Sequence, residues 1–85
     1  MTISNNQIAM TQTVATIVNS NTTRKRLRIE NIGTNTVYIG GSGLTAANGY
    51  PLEPNEFIEF PDYTNIVYGI CATGLTSTVS YFQEA

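Results

Sequence analysis

Arg24-Lys25-Arg26-Leu27-Arg28-Ile29-Glu30 alternates charged and apolar side chains from Arg26 onward. Leu27 and Ile29 share one face of an extended chain, and Arg24, Arg26, Arg28 and Glu30 share the other. On a helix Leu27 and Ile29 would stand about 200° apart. The stretch therefore reads as a β-strand, with its two apolar residues in a core and a charged ribbon in solvent.

The same logic extends downstream. Asn31-Ile32-Gly33-Thr34-Asn35 reads as a turn in which Gly33 supplies a positive φ. Thr36-Val37-Tyr38-Ile39-Gly40 follows as a strand, and the two strands are expected to pair as a hairpin. Residues 40–55 are rich in Gly, Ala, Asn and Pro. They read as a long loop with turn points at Asn48-Gly49 and Pro54-Asn55. Glu56-Phe57-Ile58-Glu59-Phe60 is a strand with Ile58 and Phe60 inward. Residues 65–72 are apolar on both faces, which predicts a strand at the centre of a sheet or at an interface. Gly74-Leu75 turns into a final strand over residues 76–82.

Upstream, residues 13–18 are β-prone and residues 19–22 form a turn. Residues 1–12 are polar and weakly patterned, and are expected to form an arm that is mobile alone or ordered by a partner. Residues 13–85 then make one domain. No stretch carries a helical repeat. The expected class is all-β, a small antiparallel β-sandwich or jelly-roll-like barrel of about six to eight strands.

With 85 residues, the core is thin. One cysteine allows no intrachain disulfide, and the absence of histidine leaves too few ligands for a Cys/His zinc site. Support from a partner or from other copies of the chain is the remaining expectation. No apolar run approaches the ~18–20 residues of a membrane helix, and the first residues do not look like a signal peptide. A reducing cytosol is the expected site of synthesis, so the Asn21-Thr22-Thr23 sequon is not expected to be glycosylated.

Catalytic chemistry finds little purchase. Without histidine, neither a Ser-His-Asp nor a Cys-His arrangement can be built. Cys71 lies within an apolar strand and reads as a buried small hydrophobe. Gly40-Gly41-Ser42-Gly43 lacks the following helix and lysine of a phosphate loop. Glu53, Glu56, Glu59 and Asp62 match no calcium loop, and read as solvated charges that discourage edge-to-edge pairing. The expected protein is not an enzyme and carries no cofactor or metal.

Binding is the better reading. All four basic residues, Arg24, Lys25, Arg26 and Arg28, fall in one stretch of a chain whose net charge is −2. They read as the charged outer face of a strand or as a docking patch for an acidic protein surface. Nucleic acid is the weaker reading, because the net charge is negative. The tyrosines, with Tyr38, Tyr50 and Tyr68 foremost, suit half-wet protein contacts. With the basic residues and Leu44, these make the candidate partner-binding set. Residues 1–12 and 40–55 are the candidate contact segments.

The order of short motifs is itself informative. Arg26-Leu27-Arg28-Ile29-Glu30-Asn31-Ile32-Gly33 is followed by Val37-Tyr38-Ile39-Gly40, Asn48-Gly49, Leu52-Glu53-Pro54, Tyr68-Gly69-Ile70 and Thr78-Val79. Over residues 14–85 this resembles small virion structural proteins of tailed bacteriophages, which include capsid decoration or cement proteins and modules of head or tail fibres. Asn55 departs from the pattern, where glycine is expected after Pro54; asparagine also tolerates positive φ. The resemblance implies a chain made in the host cytoplasm and carried on the virion. Its partners would be the major capsid protein or other virion proteins, and it would assemble as a homo-oligomer, a trimer foremost. The leading expectation is a decoration protein on the outer head surface. The alternative is a fibre or tail module that binds a host-surface glycan.

Overall fold

The computed structural model describes residues 2–85, and among these there are eight strands and no helix. They are β1 (Ile3–Met10), β2 (Ala15–Val18), β3 (Arg26–Asn31), β4 (Val37–Gly40), β5 (Tyr50–Leu52), β6 (Phe57–Pro61), β7 (Val67–Ile70) and β8 (Ser77–Glu84). The first sheet has the order β1-β8-β3-β6 and the second β2-β7-β4-β5. Every pairing is antiparallel.

The pairs β1·β8, β2·β7, β3·β6 and β4·β5 are the nested rungs of one long hairpin whose tip is the β4–β5 connection. Successive rungs fall in alternate sheets, so the hairpin is wound around a single core. This is the strand order of an eight-stranded jelly roll, within the expected class.

The core follows the predicted alternation. Leu27, Ile29, Val37, Ile39, Val67 and Val79 are buried between the sheets, with Met10, Ile17, Val18, Leu52 and Cys71. β7 is central in its sheet, as its two apolar faces predict. Gly69 on β7 leaves room for its neighbours: a Cβ there would stand 2.6 Å from Met10 Sδ and 2.8 Å from Ile17 Cδ1. Asn55 has φ 69°, so the turn after Pro54 survives without glycine.

Three expectations are corrected. Residues 3–10 do not form an arm: β1 pairs along its whole length with β8, from Ile3 opposite Glu84 to Met10 opposite Ser77. Its Ile8 and Met10 reach the core, which a polar average over the segment conceals.

The second correction concerns β3 and β4, which are not a hairpin; they lie in different sheets. Asn31 diverts the chain. It is fully buried. Its Nδ2 donates to Asn35 O and Leu52 O, both at 2.8 Å. Its Oδ1 accepts from Gly33 N at 3.0 Å and from Ser77 Oγ at 2.8 Å. These bonds meet the needs of a polar side chain in the core and hold the crossing between sheets. Gly33 is needed here for close approach rather than for positive φ: a Cβ would collide with Ser77 Oγ and stand 2.6 Å from Thr78 N.

Finally, residues 40–55 are not one structureless loop. They contain β5, with Leu52 opposite Val37 and Tyr50 opposite Ile39. The remaining turn is tied by Asn48, whose Oδ1 accepts from Thr45 N at 2.8 Å and whose Nδ2 donates to Gly43 O at 3.2 Å.

Candidate docking surface

The outer face of the first sheet brings together exposed cations, carboxylates and three exposed large apolar side chains. Arg26, Arg28 and Glu30 point outward from β3, between the buried Leu27 and Ile29. The register sets Arg28 between Phe82 of β8 and Glu59 of β6. Glu30 lies between Ser80 and Phe57, and Arg26 between Glu84 and Pro61. Beyond β8, β1 adds Asn5 beside Phe82 and Ile3 beside Glu84. Ile3, Phe57 and Phe82 are 57%, 50% and 41% exposed.

Arg28 organises this face. Its guanidinium carbon stands 3.8 Å from the centroid of the Phe57 ring, a cation–π contact. Its Nη2 lies 3.9 Å from Glu30 Oε1, an exposed pair that adds little stability. Phe57 holds the guanidinium over its ring, while the Arg28 side chain remains 43% exposed. An arginine paired with an aromatic and flanked by a second aromatic is the composition that dominates protein interfaces.

The face is not a basic patch. Arg26 and Arg28 each have a carboxylate directly across from them, Glu84 on β8 and Glu59 on β6, and Glu30 follows Arg28 on the same face of β3. Acidic residues that are distant in sequence are interleaved with the basic ones by strand register. This charge mosaic suits a protein surface of matched pattern better than a uniformly anionic polymer.

The sequence-derived candidates separate into several places. Arg26 and Arg28 belong to the face just described, and Lys25 is exposed beside it. Arg24 does not belong to it, since only 2% of its surface is exposed. Its Nε donates to Tyr63 O at 2.9 Å and its Nη2 to Asn65 O at 2.7 Å. Its Nη1 donates to Asn19 O and to Gln83 Oε1, both at 3.3 Å. Burial lowers its pKa from the ordinary guanidinium value. Arg24 precedes β3, where the alternation has not begun, and so turns inward to tie three segments together.

Leu44 is likewise buried, and is unavailable to a partner. Its Cδ1 fills the space beside Gly40 and Gly49, where a Cβ would come within 2.9 and 2.6 Å of it. Tyr38 and Tyr68 are half-buried on the outer face of the second sheet, where Tyr68 lies opposite Gly40 and Tyr38 opposite Ile70. They therefore face away from Arg26 and Arg28. Tyr50 is exposed at the rim between the sheets. There an apolar cleft of about 310 Å³ opens between Ile39 and Tyr50 on one side and Ile58 and Phe60 on the other.

Ile3, Phe57 and Phe82 were not singled out in the sequence. The signal for Phe57 was present: if Ile58 and Phe60 point inward, Phe57 must point out. Ile3 and Phe82 required the β1–β8 pairing, which nothing local predicts.

Cys71 is 1% exposed, and desolvation raises its thiol pKa, the opposite of what a nucleophile needs. Among the described residues, no group of three or more His, Cys, Asp or Glu side chains could hold a metal ion. No protein-family model matches the chain, and no curated protein matches it.

Proposed function

We propose that this chain is a non-catalytic structural module of a tailed-phage particle, a decoration protein that docks on the head through the outer face of its first sheet. The observation that carries the reading is the Arg28–Phe57 stack, set among exposed Phe82 and Ile3 on one open, mixed-charge sheet surface. The motif order over residues 14–85 supplies the virion context, and the jelly-roll strand order is compatible with it, as an analogy of fold only.

The test is co-sedimentation with purified heads of the phage that encodes the chain. Arg28→Glu combined with Phe57→Ser is expected to lower occupancy at least about tenfold, the loss of a typical interface hot spot. Tyr38→Ser, on the opposite face, is expected to leave occupancy unchanged. Wild-type occupancy for the Arg28/Phe57 double variant would rule out this face as the docking surface.

A host-glycan reading has one observation in its favour. The lining of a cleft of about 480 Å³ includes Ser20, Ser42, Tyr63, Asn65 and Tyr68 beside Ile66, a mixture of hydroxyl, amide, aromatic and aliphatic groups. Specific binding on a glycan array, abolished by Tyr68→Ala and accompanied by no affinity for heads, would replace the docking reading with this one.

A further inference from the structure

The four sheet edges are not alike. β2 is four residues long and its register shifts between Thr16 and Val18. β5 is three residues long and carries Pro51. β6 ends at Pro61, carries Glu59, and is followed by Asp62 at φ 58°. Shortness, bulges, proline and charge are the usual devices against edge-to-edge pairing. β1 has none of them: Ile3-Ser4-Asn5-Asn6-Gln7-Ile8-Ala9-Met10 is eight residues long, with no charged residue, no proline and no register shift.

Which backbone groups of β1 face away from β8 follows from its bonding. Thr2 N donates to Ala85 O at 2.6 Å and Ala85 N to Thr2 O at 2.8 Å. Antiparallel bonding alternates along a strand, so even-numbered residues of β1 bond to β8. Ile3, Asn5, Gln7 and Ala9 therefore turn their N–H and C=O groups to the open edge, where Gln7 N donates at 2.8 Å to the exposed side-chain Oδ1 of Asn6, a local bond that a pairing strand would replace. Their side chains lie on the outer face, and all four are exposed.

The geometry points to a second copy of this chain as the occupant of that edge, with β1 paired antiparallel to β1 across a two-fold axis at Asn6. An axis perpendicular to the sheet keeps the two cores on the same side only when paired residue numbers sum to an even value. Of those registers, Asn5 opposite Gln7 and Ile3 opposite Ala9 engages all four edge-facing residues. It places amide against amide and apolar against apolar, and the neutral strand brings no like charges together. The first sheet then runs unbroken through eight strands, β6-β3-β8-β1 to β1-β8-β3-β6. Its two Arg28–Phe57 stacks open on the same side. This predicts a dimer in place of the expected trimer.

Sedimentation equilibrium on the full chain tests the inference without reference to any head. Wild type is expected to be dimeric in the micromolar range. Gln7→Pro removes an N–H that faces the open edge and bonds only the exposed Asn6 side chain, not β8, and is expected to give a folded monomer. Should that variant misfold, Asn5→Lys with Gln7→Lys decides instead, by placing lysines opposite lysines. It is expected to raise the dimer dissociation constant at least about tenfold. Asn5→Lys with Gln7→Glu reverses one sign and is expected to restore dimerisation. A wild-type monomer at every accessible concentration, or a dimer insensitive to these changes, overturns the inference. So does a trimer.

Discussion

Ser77 Oγ donates a 2.8 Å hydrogen bond to Asn31 Oδ1, joining the end of β3 to the start of β8 beneath the chain's crossing between sheets. The remaining capacity of Asn31 is taken by Asn35 O, Leu52 O and Gly33 N. Asn31→Ala is expected to cost about 2–4 kcal/mol, because it leaves several buried groups without partners. At about 4–8 °C per kcal/mol for a domain of this size, the melting point falls by roughly 10–30 °C. Asn31→Asp is expected to be as damaging at neutral pH, where a carboxylate faces two carbonyl oxygens. Its deficit should shrink in acid, since the protonated carboxyl regains a donor. Thermal melts of both variants between acid and neutral pH check this.

Neighbouring basic residues are expected to behave unlike one another. Arg24→Met removes the donors shared by Asn19, Tyr63, Asn65 and Gln83, and is expected to cost about 2–4 kcal/mol. Arg26→Ala, two residues on and exposed, should change stability by no more than about 0.5 kcal/mol. Urea titrations of the two variants separate the roles, and equal effects would contradict the burial of Arg24.

Cys71 links stability to alkaline pH. Burial raises its pKa above the ordinary thiol value of 9.0, so above pH 9 the unfolded chain releases a proton that the folded chain retains. The contribution of the neutral thiol is complete below pH 9 and is lost as pH rises toward the folded value. Stability of the wild type is therefore expected to fall more steeply above pH 9 than that of Cys71→Ala. Parallel curves would show that the thiol is not desolvated. Labelling of the native thiol is expected to be limited by unfolding at any pH.

Arg28 and Phe57 should be energetically coupled even in the isolated protein. A double-mutant cycle of Arg28→Ala and Phe57→Ala is expected to give about 0.5–1 kcal/mol, typical of an exposed cation–π contact. Each single variant should remain folded by circular dichroism. Additive effects would mean that the guanidinium does not rest on the ring in solution.

Much of this architecture was legible where a face is buried. Period two placed Leu27, Ile29, Val37 and Ile39 in the core, and two apolar faces placed Val67 and Gly69 in a central strand. What escaped depends on pairings distant in sequence. β1 was hidden because only Ile8 and Met10 of its inward residues are apolar. The false hairpin of β3 and β4 came from treating Asn31 as an ordinary turn residue, when its bonds to Leu52 and Ser77 direct a change of sheet. The basic cluster looked separate from the acidic residues because register, which mixes them, is not a local property. Arg24 was misplaced for a simpler reason: alternation was extended past the end of the strand.

The wound hairpin also imposes an order of events during translation. β8 supplies the shared neighbour of β1 and β3, so the ribosome must release every residue from β1 through β8 before the first sheet can close. Until then β1 emerges early and has no native ladder to join. Such dependence on remote partners favours folding in milliseconds to seconds rather than microseconds. During that interval Asn5, Asn6 and Gln7 keep the nascent segment hydrated, where a more apolar strand would invite premature aggregation.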